Sequence, residues 1–416
     1  MIYKRRKILM LIPELGYGGA EKSFLRLSHL LSTYHDIKIV VFQRHYAKGN
    51  YAQSEYNLTI PITILDDKRS IGRFHRWKNR WKKLRSLKKD SDVTISFLTG
   101  ANILNASVFT KSKTVVSMRG SRHFDPSFSL FTRLIYELII DPFTFMLSDR
   151  IISVSDGLTN ELRRYVSKRI KQKIQTIEVF VNAKELISLS GTQIEKEIEA
   201  LKGKPLVVGA GRLSPEKGFQ YLIPIFAKVR DHNSNAKLML IGDGPQYQDL
   251  IKLCEQLNLS YTNDETKYQE SSVIFLGYRK NPLRYFHVAK VFVLSSLTEG
   301  FPNGIIEALA SGVLVVSTDC PWGPRSVLCK VPKDIKTPYP TTIPSKVDYG
   351  VLMPRIDDEK FKNLWVKKLT TILLNEKDNK KNIFLGNQRV HELDSSVIGK
   401  KWLNLVEELG KREYYE

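Results

Sequence analysis

Short apolar runs alternate along the chain with longer stretches in which apolar residues recur every three or four positions. Ile8–Ile12, Ile37–Phe42, Val93–Phe97, Thr114–Ser117 and Arg150–Val154 are apolar almost throughout. Runs of this length without polar alternation predict strands buried on both faces, and the helical spacing between them predicts the helices that cover them. The pattern restarts beyond Pro205, with Leu206–Gly209, Lys237–Ile241, Val273–Leu276, Val291–Leu294 and Leu314–Ser317. Two such series predict an α/β chain of two Rossmann-like, doubly wound domains with a cleft between them. The polar segment from Asn182 to Lys204 separates the series, giving domains of residues 1–186 and 187–397. Near the end, Val397, Ile398, Trp402, Leu405, Val406 and Leu409 have helical spacing. The stretch from Leu328 to Tyr349, rich in proline, lysine and threonine, is expected to be a long surface loop.

Composition adds bounds. A chain of 416 residues exceeds what one hydrophobic core usually serves, and 42% hydrophobic with 26% charged residues is ordinary for a globular protein. Cys254, Cys320 and Cys329 form no CxxC pair, so neither a disulfide framework nor a zinc site follows, and a reducing compartment fits. The apolar run Ile8–Ile12 ends at Pro13 and Glu14, which makes it a first strand rather than a signal peptide. The most lipophilic stretch, Phe128–Leu147, is interrupted by Arg133, Glu137, Asp141 and Pro142, and nothing approaches the roughly 20 apolar residues that span a bilayer. The net charge of +22 points to an anionic partner: nucleic acid, anionic lipid or a phosphorylated substrate.

Three segments carry chemistry. Gly16 to Glu21 (GYGGAE) lies between the first strand and an amphipathic helix, and Gly18 and Gly19 would let backbone N–H groups approach an anion there. Without a full GxGxxG, a plain glycine turn explains it equally well. Val207 to Gly218 (VVGAGRLSPEKG) ends a strand and sets Arg212 and Lys217 around a turn that opens a helix. A planar fork and a point charge at one strand end suit a diphosphate. Leu297 to Ala308 (LTEGFPNGIIEA) follows another strand, with Pro302, Asn303 and Gly304 as a helix start. Glu299 then lies in the loop and Glu307 one turn into the helix. Two carboxylates also raise a glycosidase, but no second pair faces them from the other half, and cations for a diphosphate are present.

These motifs, with IGDGP at 241–245, FLGYRKNP at 275–282 and the Glu-x7-Glu of Glu299 and Glu307, run in the order seen in family 4 glycosyltransferases of the GT-B fold. The chain resembles members that build bacterial capsule, O-antigen and lipid-linked oligosaccharides, over nearly its whole length. The resemblance implies a retaining hexosyltransferase of two facing domains whose last helix, about 398–416, crosses back to the first. It implies a nucleotide-sugar donor, read as a UDP-sugar, and a lipid-linked or polysaccharide acceptor. Arg212 and Lys217 would bind the diphosphate, Glu307 the ribose hydroxyls and Glu299 the donor sugar. The backbone from Phe301 through Asn303 to Gly304 would assist, and Tyr278 with Arg279 would border the nucleobase. His123 is the nearest candidate for the histidine that many members carry in the first domain. Relatives commonly continue with glutamate after Arg325, where this chain has Ser326.

Asp90-Ser-Asp92 imitates a metal-binding DxD, but it directly precedes a strand, and the two cations make a metal unnecessary; no metal or other cofactor is expected. Residues 68–89 carry eleven lysines and arginines and no acid, with Ile71, Phe74, Trp77, Trp81, Leu84 and Leu87 on one helical face. Such a helix suits an anionic membrane interface, and a stripe packed on the core is the competing reading. The expected location is cytoplasmic, peripheral at the inner face of the cytoplasmic membrane. A nucleotide-sugar enzyme of another reaction, such as an epimerase, and a basic nucleic-acid-binding protein stand as alternatives; no nucleic-acid recognition motif is present.

Overall fold

In the computed structural model, which describes residues 3–16, 18–43, 59–66, 72–125, 128–330, 339–375 and 380–411, the strands form two sheets. The first holds β1 (Lys7–Ile12), β2 (Asp36–Val41), β3 (Ile62–Ile64), β4 (Val93–Phe97), β5 (Lys113–Met118), β6 (Arg150–Ser153) and β7 (Ile174–Thr176). Its order is β3-β2-β1-β4-β5-β6-β7, every neighbour parallel. Ile8, Leu9, Met10, Leu11 and Ile12 are all buried, which is why β1 carries no polar alternation. The order reverses between β1 and β4, the switch point at which doubly wound sheets bind ligands.

This unit comprises residues up to His123, 129–181 and those from Asp394 onward. The C-terminal segment joins it through a bridge from Val181 to Asp394 and through helix Lys400–Lys411. Trp402 stacks on Phe97 at 6.3 Å, and Phe97 meets Phe24 edge-on at 5.4 Å. Lys401 pairs with Glu178 at 2.8 Å, and Arg150 pairs with Glu408. Asp92 is a strand-start residue: its carboxylate accepts the Lys7 N–H at 2.8 Å.

The basic helix corrects one expectation. It runs Arg73–Lys89, and residues 67–71 lie outside the described residues. Leu84 is fully buried, and Trp77, Trp81 and Leu87 pack with it against Leu9, Leu11, Val40, Phe42 and Leu104. The Trp81 indole donates to the Ser107 carbonyl at 3.2 Å, and Arg80 forks onto Asp66 at 2.5 and 2.6 Å. Lys88 is buried as well, its ammonium donating to the Asn105 and Val108 carbonyls and to Thr114. Among the described residues the tryptophan stripe is therefore mostly a core-facing stripe: a helix covering a sheet buries its apolar side, and Phe74 stays outside. Most of the apolar side of the expected membrane-interface helix is thus taken up by the core rather than left for lipid.

The second sheet holds β8 (Leu206–Ala210), β9 (Lys237–Ile241), β10 (Tyr261–Thr262), β11 (Val273–Gly277), β12 (Val291–Leu294), β13 (Leu314–Thr318), β14 (Ser345–Val347) and β15 (Gly350–Met353). Its order is β10-β11-β9-β8-β12-β13-β15-β14, parallel except for the β14–β15 edge pair. Here the order reverses between β8 and β12. The unit takes in residues 124–128 and 182–393. Its core joins the sheet to helices Phe219–His232 and Lys362–Leu374, with Trp365 buried and its indole donating to the Pro354 carbonyl at 3.0 Å. Part of the expected surface loop 328–349 is built into the sheet: Ser345–Val347 is the antiparallel edge strand, and Cys329 and Thr341 are buried. Proline and lysine suit an edge strand because it lacks one neighbour, so composition alone misreads it.

Candidate active site

Both cation and carboxylate motifs of the second unit lie at the carboxyl end of its sheet, on the loops after β8 and β12 that flank the strand-order reversal. The loop after β8 ends in a single turn, Pro215–Lys217, and then Gly218 with φ of 70°. A Cβ at Gly218 would stand 2.1 Å from the Ser295 carbonyl oxygen, so only glycine lets this loop lie against the loop after β12. Ser295 seals the contact by donating to the Lys217 carbonyl at 2.7 Å. Gly242 closes the other flank: its Cβ would meet the Gly211 carbonyl at 1.9 Å, so the loops after β8 and β9 interlock.

This packing delivers the Lys217 ammonium to Glu299 Oε1 at 2.5 Å. Ser296 donates to the same oxygen at 2.8 Å, while Glu299 Oε2 accepts no hydrogen bond among the described residues. Burial works against the Lys217 charge, but Glu299, and then Glu216, outweigh it and hold the ammonium above the ordinary lysine range. An ammonium has three donors, of which Glu299 takes one. The Glu299 backbone is fixed in turn: its N–H donates to the Pro321 carbonyl at 2.7 Å, and its carbonyl accepts from Trp322 and Gly323 at 2.7 and 3.0 Å. A buried bidentate pair, Arg325 on Asp319 at 2.8 and 2.6 Å, holds the loop after β13 that makes these contacts. Ser326 lies in the following short helix, its hydroxyl reaching the Trp322 carbonyl at 3.4 Å.

Arg212 lies on the same loop as Lys217, exposed, its guanidinium making no hydrogen bond or ion pair among the described residues. Helix Asn303–Ala310 begins directly after Pro302, and the N–H groups of its first turn lack acceptors within the helix. A Cβ on Gly304 would touch the Phe292 ring at 3.3 Å and lie 4.0 Å from the Ala210 carbonyl, which sets this helix end over the ends of β8 and β12. Phe301 is buried beneath it. Glu307 is largely buried one turn along, its carboxylate accepting nothing among the described residues. Tyr278 and Arg279 follow β11, farther along the same sheet edge, with Tyr278 partly exposed and its carbonyl accepting from Arg279 at 3.3 Å. Thus Lys217 and Glu299 touch, and Arg212, Gly304 and Glu307 share the loops and helix around them.

His123, Gly18 and Gly19 belong to the first unit. Gly18 precedes helix Gly19–Ser32 at the β1 switch point, and a Cβ there would come 2.3 Å from Glu21 Oε2, so this carboxylate folds back over the turn. His123 Nδ1 lies 3.0 Å from Glu137 Oε1, its ring partly open to solvent. Sequence reasoning missed two neighbours here. Arg119 lies over the Phe97 ring at 4.6 Å; burial pulls its pKa down to about 9, with Glu21 opposing. Arg122 pairs with Asp141 and donates to Thr99 at 2.9 Å. The crowded cations of Arg119-Gly-Ser-Arg122 just after a strand were the available signal. Among the described residues no group of three or more histidine, cysteine, aspartate or glutamate side chains is placed to hold a metal ion.

Comparison with known proteins bears on this geometry. Residues 204–336 match the family model described as glycosyl transferases group 1. An uncharacterized glycosyltransferase of Methanocaldococcus jannaschii is 31% identical over 259 residues, an alignment that spans 58% of this chain and only 59% of that protein. An α-1,4-N-acetyl-D-galactosaminyltransferase of Campylobacter jejuni, named for an undecaprenol diphosphate-linked substrate, is 27% identical over 97% of this chain and 99% of its own. The crystal structure of Anabaena HepE with UDP and glucose superposes with a TM-score of 0.73 at 16% identity, covering 97% of this chain and all of that one, which shows a shared fold. Residues 204–336 thus match the group 1 glycosyltransferases, and nearly the whole chain has the GT-B fold.

Proposed function

We propose that the second unit binds a UDP-sugar and that the enzyme passes the sugar, with retention, to a lipid-linked saccharide at the inner face of the cytoplasmic membrane. The observation that carries this reading is the Lys217–Glu299 contact at the strand-order reversal, a cation with two unused donors beside a carboxylate with one unused oxygen. Lys217 and the unpaired Arg212 take the diphosphate. Glu299 Oε2 accepts a donor-sugar hydroxyl, Glu307 accepts the ribose hydroxyls, and Tyr278 with Arg279 borders the base. The first-turn N–H groups of helix Asn303–Ala310 and the backbone at Phe301 complete the cradle. In the transfer the bond between the anomeric carbon and the diphosphate oxygen breaks. The acceptor oxygen bonds that carbon from the same face, and its proton passes to the departing phosphate. Arg212 and Lys217 stabilise the charge that develops there, which is the work a metal would otherwise do. His123, oriented by Glu137, is assigned to the acceptor side.

The uracil base follows the UDP bound to Anabaena HepE, and the lipid-linked acceptor follows the substrate named for the Campylobacter relative. The test offers UDP-, GDP- and ADP-sugars with bacterial lipid extract, reading nucleotide release and the mass of the extracted lipid. UDP release with a lipid gaining one sugar, unchanged after dialysis against EDTA, is expected. A sugar nucleotide converted without any glycosylated lipid favours an epimerase and overturns the reading.

A further inference from the structure

Residues 130–146 of the first unit form one helical run: helix Leu130–Ile135, a wider turn Tyr136–Ile140 and helix Asp141–Met146. Its outward side is apolar. Leu130, Phe131, Leu134, Leu138, Ile139 and Phe143 are exposed, Leu130 at 73% and Phe131 at 74%. The wide turn matters for this stripe, because it holds one extra residue and so keeps Phe143, five positions after Leu138, in line with it. The two acids that break the run in sequence are turned away from the surface: Glu137 binds His123, and Asp141 is buried against Arg122. No carboxylate therefore remains on the apolar side to oppose a negatively charged surface.

Beside it lies the opposite charge. Residues 163–173 hold six lysines and arginines and no acid. The Lys173 ammonium ties this segment to the end of the helix by donating to the Met146 and Ser148 carbonyls at 2.9 and 2.7 Å. Leu162, Tyr165 and Val166 share a small cavity with Pro142 and Phe145 of the run. Arg164, Lys168, Arg169 and Lys171 are exposed there. An apolar helical face about 25 Å long, flanked by exposed cations, is the chemistry of a helix lying in an anionic lipid interface. No helix among the described residues is long and apolar enough to cross a membrane, so a face of this kind lies on the surface.

We infer that residues 130–146 and the cations of 163–173 are the surface that docks this enzyme on an anionic lipid bilayer, in place of helix Arg73–Lys89. The inference rests on the reading that the acceptor is held in a lipid surface. The test is flotation of the full chain with phosphatidylcholine vesicles, and with vesicles containing about a third phosphatidylglycerol, at low salt. Wild type is expected to float only with the anionic vesicles. Phe131→Ser/Ile139→Ser/Phe143→Ser and Lys168→Gln/Arg169→Gln/Lys171→Gln are each expected to lose about tenfold or more of that binding. Lys78→Gln/Lys82→Gln/Lys89→Gln is expected to lose little. The proposal is overturned if wild type stays unbound or if both test variants float like wild type. It is equally overturned if the polar triple variant only abolishes a concentration-dependent dimer. UDP binding by every variant, followed by tryptophan fluorescence, is expected to match wild type. Absence of UDP binding in wild type itself would defeat the donor reading and leave the vesicle result standing.

Discussion

Replacing Lys217 with alanine tests the proposed donor site at its centre, because it separates what the lysine does for the fold from what it does for the reaction. In the folded enzyme the ammonium lies 2.5 Å from Glu299, with side-chain exposures of 25% and 13%. Breaking a fully buried pair by removing one partner costs about 3–5 kcal/mol. Solvent reaches a quarter of this lysine, so water enters the gap and roughly 1–3 kcal/mol is expected instead. The Lys217 pKa is raised in the fold, so its contribution is fully present below the unfolded value of 10.5 and lost only as pH rises through the higher folded value. The stability difference between wild type and Lys217→Ala should therefore stay level between about pH 7 and 9. Turnover is expected to fall further than stability does. Loss of one preorganised group at the leaving diphosphate costs about 2–4 kcal/mol, or roughly 30- to 1,000-fold in kcat/KM. Urea unfolding gives the first quantity and UDP release with acceptor gives the second. Lys217→Arg should keep most of the stability and only part of the activity. A Lys217→Ala protein that is folded at the assay temperature and transfers at near wild-type rate refutes the assignment.

Glu307→Gln should raise the donor KM by about tenfold, near 1.5 kcal/mol for a charged hydrogen bond, without a shift in Tm, because this carboxylate binds nothing among the described residues. Calorimetric UDP titration beside a thermal melt checks both halves. Gly218→Ala should lower unfolding free energy by more than about 2 kcal/mol, since a Cβ meets the Ser295 carbonyl at 2.1 Å and φ is 70°; urea unfolding reads it. Burial pushes the thiols of Cys254 and Cys329 up to about 12 each, and that of Cys320 up as well. Because the thiolate is the reactive form, iodoacetamide near pH 8 should label none of the three in native protein and all of them after unfolding, as counted by mass spectrometry. Fast native labelling at Cys320 would mean that the loop beside Lys217 opens.

The ten apolar runs read from the sequence are all strands, because strands buried on both faces leave a continuous signature. The short strands β3, β7, β10, β14 and β15 were silent: two to four residues cannot set a period against their flanks. The glycine and cation spacing of residues 207–218 and the IGDGP of 241–245 marked two tightly packed loops, since Gly218 and Gly242 answer to backbone approaches that no other residue permits. Long-range pairing was not legible. Nothing local to Asp319, Arg325 or Ser296 reveals that they hold the Glu299 loop in place. The exposure of the tryptophan-bearing and phenylalanine-bearing helices was not legible for the same reason. Periodicity shows that Trp77 and Trp81 share a face, but only the tertiary fold shows that this face meets Leu9 and Leu104 while Phe131 and Ile139 meet solvent.

The return of residues 394–411 to the first unit also dictates an order of events during synthesis. Phe97 leaves the ribosome about 300 residues before Trp402, the ring that stacks on it. The first unit is begun first yet cannot finish first, whereas residues 182–393 supply nearly all of the second unit as one continuous segment. The nascent chain thus carries a bare aromatic patch through most of its elongation, and slow translation of the middle of the message lengthens that exposure. A circular permutant that begins at Asp394 would present the closing helix at the outset and should need less chaperone assistance to reach the same native state.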